Sequence, residues 1–129
     1  MPHLVVLAED DDDLGTMIKI KLEKAHIQVV WKKNGSDALS AILAHKPALA
    51  LLEVDMPGIN GLELPKRIET AGDTQHIPVI MMSALGHEAY SGSALRRGAS
   101  DFIVKPFFPA DSLARVQRAI GSVHGPPTE

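Results

Sequence analysis

The chain predicts an α/β fold, a five-stranded parallel sheet with helices on both faces. Short apolar runs at residues 4–8, 27–31, 49–54, 79–82 and 101–104 alternate with segments whose apolar residues recur at helical spacing, the pattern of βαβ units. Four of the runs also end in polar residues of different kinds: Glu9-Asp10, Glu53, Ser83 and Lys105. In a parallel sheet these ends share one edge, where open α/β sheets bind ligands.

Residues 4–8 (Leu-Val-Val-Leu-Ala) read as a buried strand, because the apolar run is short and continuous. A helix follows with Leu14, Met17, Ile18, Leu22 and Ala25 on one face, and Asp12 or Asp13 can cap it. The second strand is 27–31. Asn34-Gly35 is a turn signal, and Ser36-Asp37 starts a helix with Ala38, Leu39, Ile42 and Leu43 apolar. Pro47 ends that connection, and the third strand is 49–54. Residues 55–61 form a loop rich in turn residues. The next helix runs from about Leu62 to Thr70, where Pro65 is tolerable only in the first turn. Pro78 opens the fourth strand. A helix within 86–97 is weakened by Gly86, Ser91, Gly92 and Ser93, and Gly98 would stop it. Strand five is 101–104, and a last helix spans 109–123 with Leu113, Val116, Ile120 and Val123 inward.

The length of 129 residues fits one domain, expected over 1–124 with a flexible tail at 125–129. Cysteine is absent, which excludes disulfides, thiolate metal sites and cysteine nucleophiles. The formal net charge is −3 and no basic stripe is present, which argues against direct nucleic-acid binding. Every apolar run falls far short of the roughly 20 residues of a membrane span, and Glu9-Asp10 interrupts the N-terminus too early for a signal peptide. A cytoplasmic protein is the expectation. The six histidines are dispersed without metal-ligand spacing and read as surface residues.

The strand ends carry the chemistry. Acidic residues favour a helix N-terminus, but the five consecutive acids Glu9 to Asp13 repel one another more than capping needs, and a bound cation would relieve that. A carboxylate ending a buried strand, as Glu53 does, is costly unless paired or metal-bound. Ser83 by itself reads equally as an ordinary strand-end serine, and Phe102 as a core residue. A lysine that ends a buried strand and precedes proline, as in Lys105-Pro106, is uncommon as mere surface. A lysine and a hydroxyl together suit a phosphoryl group.

In order and spacing these residues resemble the receiver domain of bacterial two-component response regulators, over roughly residues 3–123. The resemblance implies a flavodoxin-like sheet of strand order 2-1-3-4-5. It assigns Mg²⁺ to Glu9 and Asp10, with Asp10 the direct ligand, to position 53, and to the backbone carbonyl of Asp55. Asp55-Met56-Pro57-Gly58 matches the family loop after the acceptor. Ser83 matches the hydroxyl that hydrogen-bonds a phosphoryl oxygen, Lys105 the phosphoryl-contacting lysine with a cis bond to Pro106, and Phe102 the aromatic switch. The departure is at the centre: the family's phosphoacceptor is aspartate, and this chain has Glu53. Phosphoryl transfer depends almost entirely on positioning. A glutamate, one methylene longer, pushes its carboxylate toward the phosphoryl place and toward Lys105. Glu53 is therefore expected to be a poor or absent acceptor and a partial mimic of the active state. Two origins fit, a native glutamate in a diverged receiver or a substituted one in an otherwise ordinary receiver.

The family mechanism implies a sensor histidine kinase or phosphotransfer protein as donor, and a downstream protein or output domain bound through residues 86–123. Phosphorylation would bias a two-state element. Asp101 and Arg115 resemble an ion pair of dimerising receivers, which leaves a homodimer open, although Ser91 and Ser100 stand where charged partners are expected. The family catalyses only its own phosphorylation and dephosphorylation, so no independent enzyme activity is expected. Three rivals compete: a docking-only pseudo-receiver, a small-ligand module of flavodoxin-like architecture, and a metal-dependent phosphatase. Glu9 to Asp13 would repel the phosphate of the second. Glu53-Val54-Asp55 echoes the Asp-x-Asp of the third, but 129 residues leave no room for its cap domain.

Overall fold

The computed structural model describes residues 3–54, 56, 63–84 and 100–123. Its elements, in chain order, are β1 (Leu4–Ala8), α1 (Asp12–Lys24), β2 (Gln28–Lys32), α2 (Gly35–His45), β3 (Leu49–Glu53), α3 (Leu64–Thr70), β4 (Val79–Ser83), β5 (Asp101–Val104) and α4 (Pro109–Val123). All strand pairs are parallel, in the order β2-β1-β3-β4-β5. That is the flavodoxin-like order expected. The helix expected within 86–97 lies outside the described residues.

Side chains alternate along each strand, so each strand feeds both faces. Val6, Ala8, Ala50, Leu52, Val79 and Met81 pack with Ala38 and Ile42 of α2 and Leu64 and Ile68 of α3. Their neighbours Val5, Leu7, Leu49, Leu51, Ile80 and Met82 pack with Ile18 and Leu22 of α1 and Val116 and Ile120 of α4. The central strands β1, β3 and β4 are almost wholly buried. That explains why they read as unbroken apolar runs.

Several boundaries and contacts differ from expectation. The α1 cap is Asp11, whose carboxylate accepts from the Leu14 N–H at 3.0 Å, while Asp12 and Asp13 sit in the first turn. The helix starts one residue earlier than the apolar pattern suggests, so the cap moves back with it. Met17 is 50% exposed and Leu43 is 40% exposed. Each lies about 100° around its helix from a buried neighbour, Ile18 or Ile42. Strand β2 is shifted one residue, to 28–32, and β3 ends at Glu53 rather than 54. Helix α3 begins at Leu64, which puts Pro65 in its first turn, where the missing N–H breaks no helical bond. The Asn34 side chain caps α2 by accepting from the Asp37 N–H at 2.8 Å.

Candidate functional site

Backbone ladders carry past the strand ends and fix the residues there. The Glu9 N–H donates to the Lys32 carbonyl at 3.0 Å, extending the β1–β2 pairing by one residue. The Lys105 N–H donates to the Ser83 carbonyl at 2.9 Å, and the Val54 N–H to the Met82 carbonyl at 2.8 Å. Glu9, Glu53, Ser83 and Lys105 therefore meet at the carboxyl edge of the three central strands and β5, where open α/β sheets place ligands.

Glu9 is fully buried and Glu53 nearly so. The Lys105 ammonium bridges them: Nζ lies 2.9 Å from Glu9 Oε1 and forms a second ion pair with Glu53 Oε1. Glu9 Oε2 accepts from the Asp11 N–H at 3.1 Å. Glu9 Oε1 meets Lys105 as an ion pair but accepts no well-formed hydrogen bond. Two carboxylates thus share one ammonium. Burial raises the Glu9 pKa above its ordinary value, only partly offset by Lys105, the Asp11 N–H and the Lys105 charge, and Glu53 pushes it up further. Burial works to lower the Lys105 pKa, but its close contacts with the Glu53 and Glu9 carboxylates and their charges outweigh that and raise it.

The other expected residues fall around this core. Ser83 is buried at the end of β4. Asp10 is exposed on the rim beside Glu9. Phe102 is half-buried in β5 and packs against the α2–α3 side of the core. The Lys105–Pro106 peptide is cis. Asp55 lies outside the described residues.

The oxygen-only donors suit a hard divalent cation, and the buried Glu9 Oε1 without a hydrogen bond is a fitting ligand atom. Among the described residues no three acidic or imidazole groups converge as a ready cage. That still suits Mg²⁺, which takes one or two carboxylates and keeps several waters.

One participant was not foreseen. The Trp31 indole N–H donates to the Glu9 carbonyl at 2.8 Å. As the chain's sole tryptophan, on the strand beside the acidic turn, it carries a signal that strand patterning alone does not read. The expected Asp101–Arg115 contact forms within the chain, one guanidinium nitrogen bonding both carboxylate oxygens at 2.8 Å.

Comparison with known proteins agrees with this fold. The response regulator receiver domain model matches residues 5–117. The chain is 34% identical to the phosphate regulon transcriptional regulatory protein PhoB of Pseudomonas aeruginosa, over 90% of this chain and 51% of that protein. It is 36% identical to the response regulator RppA of Synechocystis, over 88% of this chain and 48% of that protein. The chain thus spans about half the length of the curated relatives it matches. Among solved structures, the BeF3-activated receiver domain of Klebsiella pneumoniae RstA aligns with a TM-score of 0.82 at 33% identity, covering 91% of this chain and 97% of that one. The receiver domain of a Francisella response regulator aligns with a TM-score of 0.86 at 27% identity, covering 93% and 98%. Among the described residues no helix is long and apolar enough to cross a membrane. With its sheet order, its strand-end lysine and acids, and a family match over most of its length, this chain belongs to the response regulator receiver domain family.

Proposed function

We propose that this domain is a two-component phosphorylation switch whose acceptor position is held by Glu53, locked by an ion pair to Lys105. One observation carries this reading: the Lys105 ammonium is engaged by the Glu53 carboxylate at the sheet edge. In a receiver that ammonium would face the phosphoryl group on an aspartate. A carboxylate already delivered there by the longer glutamate arm reproduces part of that charge pairing and leaves the acceptor oxygen badly placed for in-line attack.

In this reading Glu9, Asp10, Glu53 and the backbone carbonyl of Asp55 would hold Mg²⁺. Mg²⁺ held there would supply charge neutralisation for a phosphoryl group at the site. With aspartate at position 53, Ser83 would donate its hydroxyl to a phosphoryl oxygen, Lys105 would neutralise a second, and Phe102 would change rotamer as the β4 edge moves. A sensor histidine kinase or phosphotransfer protein would supply that phosphoryl group. A downstream protein or output domain reads the surface made by residues 86–123, which also offers a face for self-association. No separate substrate is turned over. The cytoplasm, where such kinases present their phosphohistidine, is the proposed location.

The test uses beryllofluoride, a phosphoryl mimic that binds an acceptor aspartate with Mg²⁺. Amide NMR spectra of the chain and of Glu53→Asp are compared with and without both. Shifts at Ser83 and Lys105 confined to Glu53→Asp support the reading. Equal shifts in both proteins, or in neither, contradict it.

A further inference from the structure

We infer that Trp31 is a positioning residue for the acidic turn after β1, holding the Glu9 backbone so that Glu9 and Asp10 are presented together to a divalent cation. This deepens the reading above and rests on its metal site.

Both polar backbone groups of Glu9 are held by β2. Its N–H donates to the Lys32 carbonyl at 3.0 Å, and its carbonyl accepts from the Trp31 indole at 2.8 Å. Residue 9 therefore has little freedom to rotate about the chain, although it lies beyond the regular strand. The same indole also grips the far side of the turn. A Cβ at Gly15, in the first half of α1, would lie 2.0 Å from the ring, so only glycine lets the helix come this close. Lys33 Nζ stands 5.6 Å from the ring centroid and pairs with Asp12. One side chain thus touches the residue before the turn and the helix after it, while its neighbour Lys33 binds an acid between them.

Packing alone does not require this arrangement. A half-buried ring on the edge strand could fill the space beside α1 without its N–H reaching a carbonyl. The hydrogen bond is directed at the one residue of the turn whose carboxylate is fully buried among the strand-end charges. Groups that orient metal ligands without touching the metal commonly alter its affinity when removed.

The test exploits the single tryptophan. ¹⁵N-tryptophan labelling gives one indole signal, assigned to Trp31 without ambiguity. The protein is titrated with MgCl₂ and followed in parallel by calorimetry and by that signal. The expected result is an indole shift that saturates along the calorimetric isotherm. Trp31→Phe, checked for native circular dichroism, should bind Mg²⁺ about three- to ten-fold more weakly, the scale of one lost hydrogen bond. Saturable binding with an unmoved indole signal, or a folded Trp31→Phe with parental affinity, overturns the inference and leaves the metal site standing. Absence of Mg²⁺ binding in the parent overturns both.

Discussion

Lys105 and Glu53 form an ion pair across the ends of β5 and β3, with side chains only 18% and 4% exposed. A buried pair is no sure source of net stability, but removing one partner strands the other. Here the ammonium serves two carboxylates, since Glu9 shares it with Glu53.

Lys105→Ala should therefore destabilise the fold by about 3 kcal/mol at neutral pH. The sign of its pH dependence follows from the charges left behind. With the ammonium gone, burial holds the Glu9 pKa raised with less to offset it. The Glu9 contribution is then most favourable below the ordinary carboxylate pKa and is lost as pH rises through the raised value. Urea titrations from pH 4 to pH 8 should show the variant gaining on the parent as pH falls. In the parent, the stabilisation from Lys105 is fully present below 10.5, its ordinary pKa, and is lost only as pH rises through the raised folded value.

Glu9→Gln separates stability from metal binding. Burial raises the Glu9 pKa from 4.5, so the fold must ionise a carboxyl that the unfolded chain has already ionised. That contribution falls as pH rises from 4.5 through the raised value, and the amide removes the slope. Glutamine keeps an acceptor for the Asp11 N–H, and Lys105 keeps Glu53. Stability in chelator should stay within about 1 kcal/mol of the parent, while calorimetric Mg²⁺ affinity falls at least about ten-fold.

Gly15→Ala drives a methyl group into the Trp31 ring, which cannot yield as a flexible chain end would. Overpacking of this kind costs about 2 kcal/mol. Thermal unfolding should show the loss even though alanine is the better helix former.

The Asp101–Arg115 pair has side chains 35% and 36% exposed, so solvent screens it. Arg115→Ala should cost less than about 1 kcal/mol in stability. If this face also serves self-association, sedimentation will show a change in oligomeric state far larger than that small loss implies.

Much of the site was legible because buried parallel strands announce themselves as continuous apolar runs. Once the runs at β1, β3, β4 and β5 are aligned, Glu9, Glu53, Ser83 and Lys105 fall on one edge. Which of the acids turns inward was not legible from the residues themselves. Five adjacent acidic residues look alike in sequence, and Glu9 turns inward only because Lys32 and Trp31, more than twenty residues away, take up its backbone groups. The α1 cap failed for a related reason, since Asp11, Asp12 and Asp13 are locally equivalent and the helix start chooses among them. Met17 and Leu43 show the limit of periodicity: apolar residues next to the buried stripe read as part of it.

The most direct measurement is an intact-mass comparison of this chain and Glu53→Asp, each incubated with Mg²⁺ and a small phosphodonor. A single phosphoryl group gained by the aspartate variant alone, mapped to position 53, is the expected result. It would show working machinery around a locked position. A phosphoryl group on Glu53 of the unaltered chain, or on neither protein, would contradict it.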